Sequence, residues 1–515
     1  MNGVTVLTES ETEVVVVGAG PTGLTLAYEL ALAGVETLVL EKLPRRVEQV
    51  KGGGIQPRTA ELLESRGLLE PLLERVTPGE PVGGHFAGLP VPLDCAPWHT
   101  RHPFPIAIPQ WEIEEVLEER VAAAGTRVLR GATVSEVEPD DEGVSVTAGG
   151  LRVRARYLVA CDGGHSTVRK LLGLPFPGRP GTHQAVLADI RLSTVSSLVP
   201  RQLGHMSTLM RRSGDHWAML APLGGDRYRF TFGHADPADP SDQADQSDQA
   251  DSTRDSPVTH EEITNALHAL YGPETTLGGV DNSSRFTDAT RQLEHYRAGR
   301  VLFAGDAAHI HPPLGGQGLN LGLQDAFNLG WKLAAAVQGR APGDLLDSYH
   351  SERHPVGAQV LHHTSAQRVL ADPNPGEDVA ALRDIFTDLL RLPDANRHLA
   401  GLMSGLSLRY GSPGGHPLTG RRAPDADLVT DAGPARLSTL FATGHAVLLD
   451  LGGTVPADLD LPPRVDLVRA TCTDDLGAAT LLIRPDGYIC WAGDGSTAAG
   501  PTLVAAIADS LAKMS

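Results

Sequence analysis

The sequence VVVVGAGPTG at residues 14–23 is followed by an apolar helical stretch and then by a strand-like run that ends at Glu41. This order of strand, glycine-rich turn, helix and strand predicts the βαβ unit of an α/β dinucleotide-binding domain. Gly18 permits the tight turn, Gly20 lets the backbone approach a pyrophosphate, and Gly23 lets the helix pack close to the sheet. Glu41 can accept both hydroxyls of an adenosine ribose and disfavours a 2′-phosphate, so FAD or NAD is favoured over NADP at this site.

Two later motifs each follow a strand-like apolar run. Residues 162–169, DGGHSTVR, predict a turn and the start of a helix, in which Arg169 has either a site role or a surface ion pair. The run VLFA precedes Gly-Asp, which places Asp306 at the carboxyl end of a strand, where it suits the hydroxyls of a ribityl chain. The loop PPLGGQGLN then leads into a helix expected to start near Leu319. The backbone N–H groups of Leu319 and Asn320 would face the pyrimidine edge of a flavin. The three motifs in this order predict one extended FAD site.

Composition restricts the class of protein. The chain has 515 residues, enough for two to four domains, and 41% of them are hydrophobic. Lys and Arg number 43 against 63 Asp and Glu, and a net charge of −20 argues against nucleic acid or an anionic membrane as partner. Neither a signal peptide nor a transmembrane run is recognised, so a cytoplasmic protein is expected. The four scattered cysteines lack zinc spacing, and the His309/His311 pair is more typical of structure, so no metal site is expected.

Periodicity predicts an α/β fold with a Rossmann-like domain, a β-sheet substrate domain and a small C-terminal α/β domain. Alternating residues at 128–129, 134–137, 144–147 and 152–159 predict an antiparallel meander, and helices are predicted over 111–124, 320–337, 345–371 and 502–514. The predicted division is FAD-binding domain over 1–77, 110–182 and 285–410, the last part with long helices; substrate domain over 78–109 and 183–284, with a disordered acidic loop at 236–257; and C-terminal domain over 411–515.

Stretches between the motifs carry a family resemblance. They are GGGIQPRTAELL at 52–63, DAFNLGWKL at 325–333, SYHSER at 348–353 and LIRPDG at 482–487. With the three motifs, they resemble class A flavoprotein aromatic hydroxylases of the 4-hydroxybenzoate hydroxylase type, and within these the bacterial aromatic polyketide hydroxylases of angucycline and tetracycline pathways. The resemblance covers nearly the whole chain. It implies a thioredoxin-like C-terminal domain, which here lacks CxxC and is expected to be structural.

The resemblance also implies contacts with FAD. Lys51 would lie near the pyrophosphate, Gly52 and Gly53 beside the isoalloxazine ring, Gln110 near the ribityl or phosphate region and Arg46 near the adenosine. No catalytic side chain is assigned, and the expected contacts at the reactive ring are the backbone of residues 319–320 and Pro313. The full set of expected cofactor-binding residues is Gly18, Gly20, Thr22, Gly23, Glu41, Lys42, Lys51, Gly52, Gln110, Asp162, Asp306, Pro313, Gly316, Gly318, Leu319 and Asn320.

The activity implied by the resemblance is monooxygenation. NAD(P)H would bind transiently and reduce the flavin, and O2 would form a flavin C4a-hydroperoxide that hydroxylates a polycyclic phenol or quinone in antibiotic biosynthesis. Three alternatives stay open: Baeyer–Villiger oxidation of a related polyketide, flavin-dependent inactivation of a polycyclic drug, and non-enzymatic sequestration. A flavin halogenase is disfavoured because the sequence has no WxW pair.

The partners and the substrate side are less defined by the sequence. The expected partners are an aromatic polyketide, O2 and NAD(P)H, with the protein a monomer or homodimer. The substrate-activating side chain is not readable. Five aromatic residues expected in the substrate sheet are candidates, and for each of them core packing is favoured: His99, His216, Trp217, Phe230 and Phe232.

Overall fold

The computed structural model describes residues 8–47, 53–76, 81–234, 256–341, 343–372, 375–411, 416–456 and 459–494. Lys51 and Gly52, most of the predicted acidic loop at 236–257 and the predicted helix at 502–514 lie outside these residues.

The strands are β1 (Thr8–Val17), β2 (Thr37–Glu41), β3 (Arg127–Arg130), β4 (Val134–Pro139), β5 (Val144–Ala148), β6 (Leu151–Ala160), β7 (Gly178–Arg179), β8 (Gln184–Thr194), β9 (Met210–Ser213), β10 (His216–Gly224), β11 (Arg227–His234), β12 (Thr276–Thr287), β13 (Thr290–Gln292), β14 (Arg297–Ala298), β15 (Val301–Phe303), β16 (His309–Ile310), β17 (Asp427–Thr430), β18 (Gly433–Arg436), β19 (Ala446–Asp450), β20 (Val465–Cys472), β21 (Thr480–Ile483) and β22 (Ile489–Gly493). The helices are α1 (Pro21–Leu32), α2 (Pro57–Glu64), α3 (Glu70–Leu73), α4 (Gln110–Ala123), α5 (Thr167–Leu171), α6 (Met206–Leu209), α7 (His260–Tyr271), α8 (Gln317–Val337), α9 (Asp347–Leu370), α10 (Glu377–Leu390) and α11 (Pro393–Ser404).

A mostly parallel sheet forms the centre of the dinucleotide-binding part. Its order is β14-β15-β6-β1-β2-β3, and β6, β1, β2 and β3 run parallel with β15. β1 leads through α1 to β2 on one side, while β6 lies on its other side, which is a topological switch point. The predicted βαβ unit is confirmed. Ligands of open α/β sheets bind at such a point, outside the carboxyl ends of the strands.

The predicted meander is confirmed in part. β4, β5 and the first half of β6 pair antiparallel, as expected. The run at 128–129 is different, because β3 pairs parallel with β2 at the edge of the main sheet. A short apolar strand has the same residue pattern in either setting, so its periodicity could not distinguish the two partners.

A second, antiparallel sheet has the order β12-β8-β11-β10-β9, and α7 packs on one face. The helix begins with a capping signal, since the Thr259 hydroxyl accepts a hydrogen bond from the N–H of Glu262 at 3.1 Å. Its apolar side buries Ile263, Leu267 and Leu270 against the sheet. Because α7 covers one face of the sheet, the opposite face is the one that forms a wall of the cleft described below. The helix α7 was not predicted from the sequence.

The C-terminal part contains a mixed sheet of order β18-β17-β20-β19-β21-β22, in which β19 and β20 are parallel. Burial raises the pKa of the Cys490 thiol to about 12, so this thiol stays protonated at neutral pH and is a poor nucleophile. None of the helices in the described ranges is long and apolar enough to cross a membrane.

Buried arginines join the C-terminal sheet to the dinucleotide-binding part. Arg66 pairs with Glu29 through two hydrogen bonds of 2.7 and 2.9 Å, and it also donates to the carbonyls of Phe441 and Pro485 at 2.8 Å. Arg58 donates to another carbonyl of the C-terminal part at 2.8 Å. Because buried carbonyls and charges must be paired, these contacts fix how the two parts dock.

The same junction supplies a prediction about acid. Burial opposes ionisation of Glu64, yet hydrogen bonds from His102 and Arg436 lower its pKa from 4.5 to about 2. A carboxyl whose pKa is lowered on folding stabilises the protein fully above its unfolded pKa, and this contribution is lost as the pH falls towards the folded value. We expect Glu64→Gln to lower the free energy of unfolding by about 1–2 kcal/mol at pH 7, after allowance for its partial exposure, and by less than half as much at pH 3.

Chemical denaturation at both pH values measures this difference. Glu142→Gln, at an exposed turn position, is the control and should change little at either pH. An effect of Glu64→Gln that is equal at pH 7 and pH 3 would contradict the ionisation argument.

Candidate functional site

A cleft of about 3250 Å³ runs between the parallel sheet and the antiparallel sheet. At one end, the segments after β1, β6 and β15 reach it side by side, because these strands are parallel neighbours and end at the same edge. The three sequence motifs, far apart in the chain, therefore meet at one place. Twelve of the expected cofactor-binding residues line the cleft: Gly18, Gly20, Thr22, Glu41, Lys42, Gln110, Asp162, Asp306, Pro313, Gly316, Gly318 and Leu319.

The glycines of the first motif have different surroundings. Gly18 has φ +106°, and a β-carbon on it would lie 2.4 Å from the Cys161 carbonyl oxygen. A β-carbon on Gly23 would lie 2.0 Å from the carbonyl oxygen of Gly18, so the helix packs directly on the turn and this residue lies behind the cleft wall. No atom of the described residues lies within 4 Å of a β-carbon placed on Gly20. The cleft therefore approaches the backbone at Gly20, at the N-terminus of α1, which is suited to an anion.

Glu41 is anchored at the end of β2. Its two carboxylate oxygens accept hydrogen bonds from the N–H groups of Ala19 at 2.8 Å and Leu43 at 2.9 Å. Each oxygen keeps a further lone pair, so the carboxylate can also accept from sugar hydroxyls. Lys42 and Arg46 line the same region, and the Arg46 guanidinium pairs with a glutamate of α4.

The second motif contains one carboxylate, Asp162, that uses only one of its oxygens for hydrogen bonds to the described residues. Oδ2 of Asp162 accepts the N–H groups of Thr167 at 2.7 Å and Val168 at 3.1 Å. Oδ1 is buried, and among the described residues nothing hydrogen bonds to it. Burial raises the pKa of this carboxyl, although the hydrogen bonds that it accepts oppose the shift. A buried acceptor at the cleft indicates a hydroxyl or N–H donor from a ligand.

Arg169 is a buried residue rather than one half of a surface ion pair. It donates to the Ala307 carbonyl at 2.9 Å and the Gly164 carbonyl at 2.6 Å, and its guanidinium lies 3.7 Å above the ring of Phe176. Its role in the structure is to tie the second motif to the third.

The third motif begins its helix two residues earlier than expected. α8 starts at Gln317, so the N–H groups without an intrahelical acceptor are those of Gln317, Gly318 and Leu319. Asn320 lies one position further, where the backbone N–H reaches the carbonyl of the cap residue. Leu319 lines the cleft, whereas Asn320 is 3% exposed and does not.

The Asn320 side chain has a different task. Its Oδ1 accepts the Gln56 N–H at 2.7 Å, and its Nδ2 donates to the carbonyls of Gly54 at 3.0 Å and Gly316 at 2.9 Å. Gln56 in turn donates to the Gly315 carbonyl at 3.0 Å. The segment beginning at Gly53, expected beside the flavin ring, is thereby fixed to the start of α8.

Two further expected residues are held by neighbouring elements. The Thr22 hydroxyl packs closely against Gly305 and Gly322, since β-carbons placed on these glycines would lie 2.7 and 2.4 Å from it. Thr22 therefore connects the first motif to the third. Gln110 begins α4, and its side chain donates to Glu114 at 2.8 Å. Asp306 is exposed to the cleft near the start of α8.

A buried charge cluster beneath the third motif was missed by the sequence analysis. Asp325 of α8 is fully buried and accepts hydrogen bonds from His309 at 2.7 Å, Arg353 at 2.7 Å and the N–H of Gly305 at 3.1 Å. Although burial opposes ionisation, Arg353 and His309 hold the pKa of Asp325 below its usual value. The partners lie 16 and 28 residues away along the chain, so no local spacing reveals them.

The ring of each histidine of the third motif makes a hydrogen bond close to the motif. His309 lies in the cluster with Asp325, and Nδ1 of His311 donates to the Pro312 carbonyl at 2.7 Å. Burial lowers the pKa of His311 to about 4, so the ring is neutral at pH 7. The residues that the structure describes include no group of three or more His, Cys, Asp or Glu side chains arranged to hold a metal.

The opposite wall of the cleft is one face of the antiparallel sheet. Alternate residues of β8, β10 and β11 face the cleft, and the residues between them pack against α7. Phe230 and Phe232 lie on the packed side and are 0% and 1% exposed, which confirms core packing for both. Trp217 faces the cleft, so for this residue the favoured expectation of core packing is wrong.

The other candidates behave differently. His216 pairs with His234 at 4.3 Å between ring centroids, and His99 is exposed at the end of a short 3-10 turn. Neither packs in the core of the antiparallel sheet. An ion pair on the cleft face of this sheet, between Arg229 and Asp189, was not predicted from the sequence. The alternation of β8 and β11 was visible in the sequence, but the candidates on β11 were chosen from its aromatic side rather than from the side that carries Arg229.

Two family models match the chain: residues 11–364 match an FAD binding domain and residues 416–513 match an aromatic-ring hydroxylase C-terminal domain. The chain is 46% identical over 496 residues to the 12-dehydrotetracycline 5-monooxygenase/anhydrotetracycline 6-monooxygenase of Streptomyces rimosus, covering 93% of this chain and 95% of that protein. It is 41% identical over 489 residues to a rifampicin monooxygenase of Streptomyces venezuelae, covering 94% and 96%. The solved structure of OxyS anhydrotetracycline hydroxylase from Streptomyces rimosus has a TM-score of 0.85 at 43% identity, covering 98% and 99%.

Proposed function

The chain belongs to the family of FAD-dependent aromatic-ring hydroxylases, and on that basis we propose that it hydroxylates a polycyclic phenol of the aromatic polyketide class. It is a flavoprotein monooxygenase with FAD as cofactor and NAD(P)H as reductant. The observation that carries the proposal is the cleft itself, since the end formed by the three motifs opens directly onto the wall formed by the antiparallel sheet.

The residues at the first end of the cleft fit FAD. Gly20 leaves space beside a helix N-terminus for a pyrophosphate, Glu41 offers acceptors for a ribose, and Oδ1 of Asp162 is a buried acceptor in need of a donor. We propose that Asp306 holds the ribityl hydroxyls and that the free N–H groups at the start of α8 face the pyrimidine edge. When bound, FAD supplies the activation of O2, while the protein binds, orients and shields the reactants.

The proposed substrate lies against the antiparallel sheet. Leu187, Trp217, Met219 and Ala221 give this wall an apolar character that suits fused aromatic rings. Polar groups lie on the same wall, among them Asp189, Arg229 and Thr231, and they can fix the orientation of the substrate and thereby the ring position that reacts. We further propose that the protein is a monomer or a homodimer and that its domains have the limits predicted from the sequence.

Incubation of the purified holoenzyme with NADPH, O2 and anhydrotetracycline tests the proposed function. We expect substrate-dependent NADPH oxidation and a product heavier by one oxygen, with the ring system intact by NMR. Oxygen inserted into a ring C–C bond would replace hydroxylation with Baeyer–Villiger chemistry. Turnover of rifampicin but of no tetracyclic phenol would favour drug inactivation. NADPH oxidation that no aromatic compound stimulates would overturn the proposal.

Asp306 provides a prediction about the cofactor. We expect Asp306→Ala to weaken FAD binding about 10- to 100-fold, because a carboxylate that accepts hydroxyl hydrogen bonds is worth about 1.5–3 kcal/mol. Fluorescence titration of the apoprotein with FAD measures the dissociation constant. Asp215→Ala, at an exposed turn between β9 and β10, is the control and should bind FAD normally. Normal FAD affinity in Asp306→Ala would contradict the placement of the ribityl chain.

A further inference from the structure

One charged side chain on the apolar wall is held in a fixed orientation. Arg229 of β11 lies directly opposite Asp189 of β8 in the antiparallel register. Its Nε donates to Oδ1 at 3.0 Å and its Nη2 to Oδ2 at 3.2 Å, and the two side chains are 14% and 5% exposed. A bidentate pair of this kind fixes the plane of the guanidinium. The remaining end of the fork, Nη1, is therefore directed by the pair.

That end points to the segment expected beside the flavin. A β-carbon placed on Gly53 would lie 2.5 Å from Nη1 of Arg229 and 3.3 Å from the Ile108 carbonyl oxygen. A side chain at position 53 would therefore displace the guanidinium. A β-carbon placed on Gly54, one residue further, would have only the Ile106 carbonyl oxygen within 4 Å, at 3.9 Å, among the described residues other than its chain neighbours. Arg229 thus spans from the substrate wall to the cofactor side of the cleft.

Arg229 has one cation beside it on this face, Arg227, and its other neighbours there are not cations. In the register it lies between Asp189 and Ala221, and the next cleft-facing residue along β11 is Thr231. Arg227, on the same strand and face, differs because its side chain is 41% exposed and pairs with Asp281 at the solvent side. Arg229 is therefore the less hydrated of the two, and its hydrogen bonds are the stronger ones.

We propose that Nη1 of Arg229 binds an ionised oxygen of the substrate, a phenolate or enolate, at the junction of the substrate wall and the flavin. This inference rests on the proposed function. Electrophilic hydroxylation needs an electron-rich ring, and ionising a phenol makes its ortho and para carbons nucleophilic. A guanidinium at this point lowers the cost of the phenolate and turns the oxygen, and with it the adjacent carbon, towards the flavin. Asp189 is then a positioning residue that sets the direction of Nη1.

The test uses the holoenzyme with oxidised FAD, without reductant, and anhydrotetracycline as probe, whose absorption spectrum changes when it ionises. We expect Arg229→Met to raise the dissociation constant of the probe at least about 30-fold and to shift the ionisation of the bound probe to higher pH. Arg229→Lys should recover part of the affinity because it keeps the charge without the fork. Arg227→Met is the matched control and should bind the probe within about two-fold of the wild type.

Two further variants separate the site from folding. Arg229→Met leaves Asp189 buried without its partner, so the double variant Asp189→Leu/Arg229→Met is included and should show the same loss of probe binding. Gly53→Ala keeps both charged residues but displaces Nη1, and it should weaken probe binding, whereas Gly54→Ala should not. FAD occupancy, from the ratio of flavin to protein absorbance, should stay normal in the Arg229 variants.

The possible results are distinct. Probe affinity within about two-fold of the wild type in Arg229→Met and in the double variant would overturn the inference, and so would a loss of FAD occupancy that parallels the loss of probe binding. If the wild type neither binds nor hydroxylates anhydrotetracycline, the proposed function fails for this substrate class and the inference falls with it.

Discussion

Gly20→Ala should lower the affinity for FAD at least about 100-fold while leaving the apoprotein folded, because loss of two charge-assisted hydrogen bonds to phosphate costs about 3 kcal/mol. The backbone at Gly20 is extended, with φ −79° and ψ 178°, so alanine is accommodated without strain. Its β-carbon would meet no protein atom of the described residues within 4 Å and would occupy the space proposed for the pyrophosphate. The free energy of unfolding of the apoprotein should be unchanged or raised by up to about 1 kcal/mol.

Gly23→Ala provides the contrast within the same motif. Its β-carbon would lie 2.0 Å from a backbone oxygen, so α1 must move away from the turn. We expect this variant to lose both FAD binding and about 1–3 kcal/mol of stability. Isothermal titration with FAD and urea denaturation of the apoproteins separate the two effects. If Gly20→Ala binds FAD like the wild type, the pyrophosphate does not lie at this turn.

Asp325→Ala should destabilise the protein by about 3–5 kcal/mol, the largest effect on stability that we expect of a single substitution. The carboxylate is 0% exposed and neutralises the equally buried Arg353, while it also accepts from His309 and Gly305. Without it, a guanidinium and a backbone N–H remain buried with poorer partners. Since the same N–H positions the turn before Asp306, FAD should also bind more weakly.

Urea denaturation followed by circular dichroism measures the loss, with FAD release followed by flavin fluorescence. The matched control is Asp347→Ala, which also removes an aspartate from an arginine pair, at 2.6 Å, but at a side chain that is 65% exposed. Solvent screens that pair, so the control should lose no more than about 1 kcal/mol. Equal losses in the free energy of unfolding in the two variants would show that the buried cluster stabilises the protein no more than a surface ion pair does.

The contrast between these predictions reflects what sequence can encode locally. The roles of Gly18 and Gly23 follow from one βαβ unit, since Gly18 has the positive φ of its turn and Gly23 lies against the carbonyl of Gly18. The start of α8 was misplaced by two residues, since Gly316 and Gly315 both adopt positive φ values and the helix begins directly after them. The parallel pairing of β3 could not be separated from a meander because its residues suit both settings.

Other parts of the site depend on residues that are distant in the chain. Asp325 gains its partners from β16 and α9, and Arg229 gains its direction from a strand 40 residues away. Neither arrangement has a fixed spacing, because connecting loops can vary in length without changing the contact. Charged residues in amphipathic strands and helices are ordinarily solvent-facing, so their sequence pattern predicts exposure.

The sequence by itself determined the βαβ unit, the order of the three motifs and, through the family resemblance, the flavin chemistry, since turns and helix starts are dictated by residues close together in the chain. The tertiary structure decided which face of the antiparallel sheet borders the cleft, which aromatic side chains are core, and which carboxylates keep an acceptor for a ligand. These depend on burial, and burial is a property of the elements that pack together rather than of any one of them.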